Sequence, residues 1–223
     1  CKAMLQTGIQ PDFVVIDGTE GGTGAAPLEF VDHIGTPMRE GLVFAHNCLV
    51  GAGLRNTIRL GVAGRIITGF DMARVLALGA DWCNAARGFM FALGCVQAQT
   101  CHTDQCPSGV ATQNAWRQRA VVVSDKSERV ARFQDNTLAA LAELVGAAGL
   151  AQPRDLTAMH LLKRVSPYEV KTFAELYTFL GERELLAGSG HAYYAHAWNI
   201  AHANSFTVLP EIKATADAQG QAA

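Results

Sequence analysis

The amino-acid sequence predicts an α/β fold: the C-terminal part of a (β/α)8 barrel with a helical C-terminal appendage. Three observations carry that expectation. Short β-branched runs alternate with helix-spaced segments over the first ~90 residues, as parallel strands joined by right-handed crossovers require. The first of these runs, Phe13–Ile16, is apolar on both faces, as in a sheet covered on both sides. Glycine-rich turns follow the strands, where the functional loops of such a barrel gather. A doubly wound open sheet would give the same pattern, so the pattern alone does not separate the two.

The elements follow in order. Cys1–Leu5 reads as the middle of a helix, and with no initiator methionine the chain is expected to be a fragment. Phe13–Ile16 is the first strand, preceded by Pro11-Asp12 and stopped by Asp17-Gly18. Thr57–Val62 is the second strand and Asp81–Ala85 a third, weaker one. Glu40–Val50 and Asp71–Leu78 are helices, the latter stopped at Gly79. Ser127–Ala148 carries Val130, Phe133, Leu138, Leu141, Leu144 and Val145 at helical spacing and closes at Gly149; it is expected to be the last barrel helix. Pro153–Tyr177 is expected to be helical and anchored by Leu156, Leu161 and Leu162. The expected organisation is barrel over 1–150, appendage over 151–211 and a frayed tail over 212–223.

Composition narrows the function classes. The chain has 223 residues, 49% of them apolar, and a formal charge of −2. That balance gives no electrostatic reason to expect nucleic acid or an anionic membrane as partner. No apolar run approaches the ~20 residues that span a bilayer. Of six cysteines, Cys95, Cys101 and Cys106 crowd together, which favours a metal centre in a reducing compartment over disulfides, and hence the cytoplasm.

Four segments could carry chemistry. Asp17-Gly18-Thr19-Glu20-Gly21-Gly22-Thr23-Gly24 follows the first strand, and so many glycines imply positive φ or close approach of a ligand to bare backbone. Asp17 and Glu20 are its candidate acid–base groups. The turns at Gly64–Arg65 and Ala86–Arg87 follow the second and third strands, where a barrel commonly holds a phosphate on backbone N–H groups. The fourth segment, Cys95-x5-Cys101-x4-Cys106-Pro107, sets three thiols in twelve residues. An iron–sulphur centre leads, and the three-ligand count suggests [3Fe–4S]; zinc with His102 as fourth ligand and buried free thiols remain as alternatives. Cys95 lies eight residues beyond Arg87, so a helical connection keeps it within ~12 Å of the proposed phosphate turn. His33 and His46 read as structural, and His191, His196 and His202 as members of an aromatic packing stripe.

Taken together, these residues resemble the FMN-binding domain of glutamate synthase and its stand-alone glutamate-synthase-like relatives. The markers are Asp17-Gly18-x-x-Gly21-Gly22-Thr23-Gly24-Ala25-x-Pro27, Thr68-Gly69-x-Asp71, and the block from Gly94-Cys95 through Cys106-Pro107 to Thr112-Gln113. The resemblance implies a barrel holding FMN beside a [3Fe–4S] cluster. Cys95, Cys101 and Cys106 would ligate the cluster. Asp17, Gly18, Gly21, Gly22 and Thr23 would line the flavin, and Gly64, Arg65, Ala86 and Arg87 would hold its phosphate. Arg65 and the turn around Asn84–Arg87 depart from the family pattern.

The implied reaction forms L-glutamate by reducing 2-iminoglutarate, itself made from 2-oxoglutarate and ammonia. Electrons would come from an NAD(P)H flavoprotein or ferredoxin. A different amino-acid or amine substrate is the second reading, and a non-catalytic electron-transfer module the third. No catalytic residue is assigned, and homo-oligomerisation is left open.

Overall fold

The computed structural model describes residues 1–19, 26, 31, 33–188 and 190–207. Glu20, Gly21, Gly22, Thr23 and the 212–223 tail therefore lie outside the described residues. The chain divides into two compact units. One contains Cys1–Phe13, His46–Arg59 and Thr178–Ala223; the other contains Val14–Ala45 and Leu60–Tyr177.

The elements before the cysteines are α1 (Lys2–Thr7), β1 (Phe13–Asp17), α2 (Met38–Gly51), β2 (Arg59–Ala63), α3 (Gly69–Ala77), β3 (Trp82–Asn84) and α4 (Arg87–Leu93). The three strands lie in the order β1-β2-β3. β2 and β3 run parallel in the register Gly61↔Trp82, Val62↔Cys83 and Ala63↔Asn84. Strand order equal to chain order is what consecutive barrel strands give, although three strands make an open sheet and not a closed barrel. β2 is buried at its centre: Leu60 and Val62 expose nothing on one face, and Gly61 is buried on the other. Gly61 is required by packing: a Cβ there would lie 2.5 Å from the Trp82 ring.

The helices match their sequence signals with shifted bounds. α2 and α3 each begin two residues before the expected start, and Gly79 takes φ +107 past the end of α3. After a short helix α5 (Ala115–Gln118), the long helix α6 runs Val123–Ala147, four residues earlier than expected. Val122 precedes it in extended conformation, and Asp125 in its first turn complements the helix dipole. Gly149 (φ +73) follows its end. α6 lies hard against its neighbours. A Cβ on Gly69 would come within 2.8 Å of Leu141 N, and one on Gly88 within 2.5 Å of the Phe133 ring.

Residues 153–177 correct the expectation of a helical appendage. They form two 3-10 turns, a hairpin of β4 (Leu162–Ser166) and β5 (Glu169–Thr172), and a one-turn helix α7 (Phe173–Leu176). The reason is local. Pro167 lacks an N–H and disfavours helix at Ser166, while Val165, Val170 and Thr172 are β-branched. Leu156 and Leu161 are buried as expected, but Leu162 is 65% exposed.

The other unit is organised on Asn47, which is wholly buried. Its Nδ2 donates to Thr178 O (2.7 Å) and Tyr194 Oη (2.8 Å), and its Oδ1 accepts from Leu180 N at 2.7 Å. The amide is thereby satisfied on both sides, as burial requires. Leu180, Leu185 and Tyr194 form a small core with Cys48 and Trp198 against it. Tyr194 and Trp198 lie on the last helix, α8 (Ala192–Ile200), and pack, whereas Tyr193, His191, His196 and His202 are exposed and do not form the expected packing stripe. No helix among the described residues is long and apolar enough to cross a membrane.

Candidate functional site

Parallel strands present their following turns at one end, and the register fixes which turns meet. Ala63, the last residue of β2, pairs with Asn84, the last of β3. The turns at Gly64–Arg65 and Ala86–Arg87 therefore leave the sheet side by side. The loop after β1 joins them, since Gly18 N donates to Ala63 O at 3.3 Å. Asp17, Gly18, Gly64, Arg65, Ala86 and Arg87 are thus gathered at one sheet end.

Gly18 itself has a packing reason. A Cβ on it would overlap the backbone of Met38, at 2.4 Å.

The turn after β2 is conformationally special. Gly64 has φ +134 and Arg65 φ +44, a left-handed value uncommon for a residue with a side chain. Directly beyond it, Thr68 and Asp71 form a capping box. Asp71 N donates to Thr68 Oγ1 (3.1 Å), and Asp71 Oδ2 accepts from Thr68 N (3.0 Å). The same carboxylate accepts from Ile67 N at 3.3 Å and pairs with Arg74 at 2.8 Å. The Thr68-Gly69-x-Asp71 marker is therefore a helix start combined with a close helix crossing. It shapes the turn and does not itself present a reactive group.

α4 carries the chain from the third turn to the cysteines. It ends at Gly94 in left-handed conformation (φ 105), and Cys95 N donates to Met90 O. The turn that follows is internally braced. Gln97, Gln99 and Asp104 all have positive φ. Cys101 begins a 3-10 turn ending at Thr103. Asp104 then reaches forward, its Oδ1 accepting from Thr112 Oγ1 (2.9 Å) and Gln113 N (2.5 Å). Those bonds hold its carboxyl below the usual range: the Gln113 N–H has the largest effect and the Thr112 hydroxyl adds to it.

The sulphurs differ in environment. Cys106 is buried, Cys95 half-buried and Cys101 exposed. Cys106 lies under its own turn, with Ser108 Oγ 3.4 Å from its sulphur. The Ser108 hydroxyl and the N–H groups of Ala111, Ser108 and Val110 outweigh burial and lower its pKa to about 7. Hydrogen-bonding groups beside a sulphur suit a thiolate ligand, because such bonds tune sulphur-ligated centres. Cys48 and Cys83 show the opposite: burial pushes Cys48 up to about 11 and raises Cys83 as well.

In residue type the 95–106 segment fits a thiolate-ligated centre. In placement, among the described residues no three His, Cys, Asp or Glu side chains converge as a metal-binding group. His102, the alternative zinc ligand, is exposed and joins no such group. His46 is structural, accepting from Arg55 Nε at 3.4 Å and set edge-on to Phe179.

Asp104 and Asn114 are residues of this turn that sequence reasoning passed over, and Thr112 entered it only as part of a family marker. Asn114 caps α5 by accepting from Trp116 N and Arg117 N. An Asn or Asp set against a Thr around a Cys-Pro turn was the available signal.

A family model described as the conserved region in glutamate synthase matches residues 2–151. The chain is 40% identical over 161 residues to the glutamate synthase large subunit-like protein YerD of Bacillus subtilis, covering 72% of this chain and 31% of that protein. It is 44% identical over 103 residues to the glutamate synthase [NADPH] large chain of the same organism, covering 46% and 7%. It is 42% identical over 102 residues to the ferredoxin-dependent glutamate synthase 1 of Arabidopsis thaliana, covering 46% and 6%. The chain thus spans about a third or less of the length of these relatives. Among solved structures, a pyruvate-bound double mutant of flavocytochrome b2 aligns at TM-score 0.38 and 12% identity, covering 93% of this chain and 44% of that one.

Proposed function

The chain belongs to the glutamate synthase family, and on that premise we propose that it is part of an oxidoreductase using FMN and a [3Fe–4S] cluster to make L-glutamate. 2-Oxoglutarate condenses with ammonia, losing water, to give 2-iminoglutarate. A hydride to the imine carbon and a proton to its nitrogen then complete the amino acid. FMN, when bound, supplies the hydride chemistry, and the cluster supplies one-electron exchange.

The observation that carries this reading is the convergence of three strand-end turns, with the cysteine turn one helix further along the chain. In this reading Asp17, Gly18, Gly21, Gly22 and Thr23 line the flavin. The turns at Gly64–Arg65 and Ala86–Arg87 hold its phosphate, with backbone N–H groups and two guanidinium charges favouring the dianion. The left-handed backbone of Gly64–Arg65 supports that role, since unusual φ values cluster at ligand-holding turns. Cys95, Cys101 and Cys106 ligate the cluster, and the N–H groups around Cys106 stabilise negative charge on its sulphur.

The names of the relatives, one with NADPH and one ferredoxin-dependent, support NADPH or ferredoxin as the source of electrons, and an NAD(P)H flavoprotein as the donor is part of this proposal. The six unpaired cysteines agree with a reducing compartment such as the cytoplasm.

The test is turnover by the purified full-length protein given 2-oxoglutarate, ammonia and reduced ferredoxin or NADPH. Glutamate should appear as the donor is oxidised. Flavin and iron present without glutamate would point to a different amino-acid or amine substrate. Iron without flavin would point to an electron-transfer module.

A further inference from the structure

We propose that Asp104 is a positioning residue: it clasps Thr112 and Gln113 and thereby fixes the turn that carries Cys106 and the donors around its sulphur. The hydrogen bonds come first. Asp104 Oδ1 accepts from Thr112 Oγ1 and Gln113 N, while its backbone carbonyl accepts the same hydroxyl at 2.7 Å. One hydroxyl proton is therefore shared between the main chain and the side chain of Asp104. Thr112 Oγ1 also accepts from Asn114 N at 3.1 Å, and Gln118 Nε2 donates to Thr112 O at 2.9 Å. Thr112 is buried, so its hydroxyl must keep such partners.

The clasp closes a loop from residue 105 to residue 111. That loop contains Cys106 and Ser108, whose Oγ lies 3.4 Å from the sulphur, together with the backbone of Val110 and Ala111 beside it. Its far wall is Gly109, at φ +76, where a Cβ would stand 2.3 Å from Arg117 O. Arg117 Nη1 in turn donates to Gln105 O at 3.3 Å. Cys95 lies outside the closed loop and Cys101 three residues before the clasp. Releasing the clasp should therefore loosen one sulphur selectively, whereas a general packing defect would loosen all three. The effect on a cluster rests on the function proposed above; the effect on the loop does not.

The experiment compares full-length Asp104→Ala, Thr112→Val, Thr112→Ser and the Asp104→Ala/Thr112→Val double variant. Two readouts are taken on each preparation. One is amide hydrogen exchange of the peptides covering 95–100 and 105–113, before and after iron is stripped with a chelator. The other is iron and acid-labile sulphide content together with the EPR line shape.

The expected result is about tenfold faster exchange over 105–113 in Asp104→Ala and Thr112→Val, as the loss of charge-assisted hydrogen bonds implies. Peptide 95–100 should change less than about twofold, the scale of an uninvolved site. The double variant should accelerate exchange by less than the product of the two single effects, because both single variants remove the bond between Thr112 Oγ1 and Asp104 Oδ1. Thr112→Ser keeps the hydroxyl and should behave as wild type, with its cluster line shape unchanged. Thr112→Val should lower iron content and alter the line shape.

Equal acceleration of both peptides would overturn the proposal, as would failure of Thr112→Ser to rescue. If Asp104→Ala does not fold, the near-isosteric Thr112→Val decides alone. The two levels fail separately. Wild-type protein without iron and sulphide sinks the cluster reading and leaves exchange to judge the clasp. A normal wild-type cluster that persists unchanged in Thr112→Val sinks the clasp and leaves the cluster standing.

Discussion

The turn after β2 and the cysteine turn use the same chemistry at different range. In the first, the Asp71 carboxylate braces backbone N–H groups three and four residues back. In the second, the Asp104 carboxylate reaches a hydroxyl and an N–H eight and nine residues ahead. Both turns contain left-handed residues, and both set a glycine against foreign backbone: Gly69 on α6, and Gly109 on the carbonyl of Arg117. The difference is what lies inside. The short brace starts a helix that packs on α6, while the long one encloses a thiol. A local cap stabilises an element, and a longer clasp can shape a cavity around a sulphur.

Substitutions at the two glycines should break the comparison most strongly. Gly69→Ala forces a methyl into α6 and is expected to cost about 2–3 kcal/mol of global stability, as overpacking does. Thermal unfolding of the full-length protein checks it, with the fall in Tm as the readout. Gly109→Ala combines positive φ with a backbone clash and should cost about 1–3 kcal/mol, confined to its loop. Hydrogen exchange over 105–118 and iron content should move while Tm changes less. A fall in Tm equal to that of Gly69→Ala would show that the cysteine turn is as structural as the helix crossing.

Removing the short brace should have a smaller effect. Asp71→Ala deletes the capping box and the pair with Arg74, costing about 1 kcal/mol. Denaturant unfolding measures this, and the flavin occupancy of the same sample shows whether the brace also sets the proposed phosphate turn.

At neutral pH the smallest effect is that of the Cys48 thiol, whose burial matters only in alkali. Cys48 is raised to about 11 from an unfolded value near 9.0. Between those values the unfolded chain loses the Cys48 proton first, so stability should be full below pH ~9 and decline as pH rises toward ~11. Cys48→Ala should flatten that part of the stability–pH curve, and an unchanged slope would refute the assignment.

Legibility followed range. The strands at 13–17 and 59–63 were readable within two residues because β-branched runs stopped by Gly or Asp are local signals, whereas the short strand at 82–84 has no β-branched residue and gave a weaker one. Thr68-Gly69-x-Asp71 was visible as a marker, and the structure supplies its cause in a cap three residues long. Asp104 with Thr112 was not readable, because their meeting depends on left-handed φ at Asp104 and on the path of seven intervening residues. Gly18 was read as a ligand-loop glycine, and its contact with Met38 gives it a packing reason that periodicity does not carry. The 162–172 hairpin was missed although Pro167 announced it, because the leucines at 156, 161 and 162 imitate helical spacing.

Iron, acid-labile sulphide and flavin quantified on one sample of full-length protein, beside its Cys101→Ser variant, test the central claim most directly. The account predicts flavin together with iron and sulphide in the proportions of the cluster's formula, with iron lost and flavin kept in the variant. Zinc without sulphide, or iron untouched by the loss of the Cys101 thiol, would contradict it.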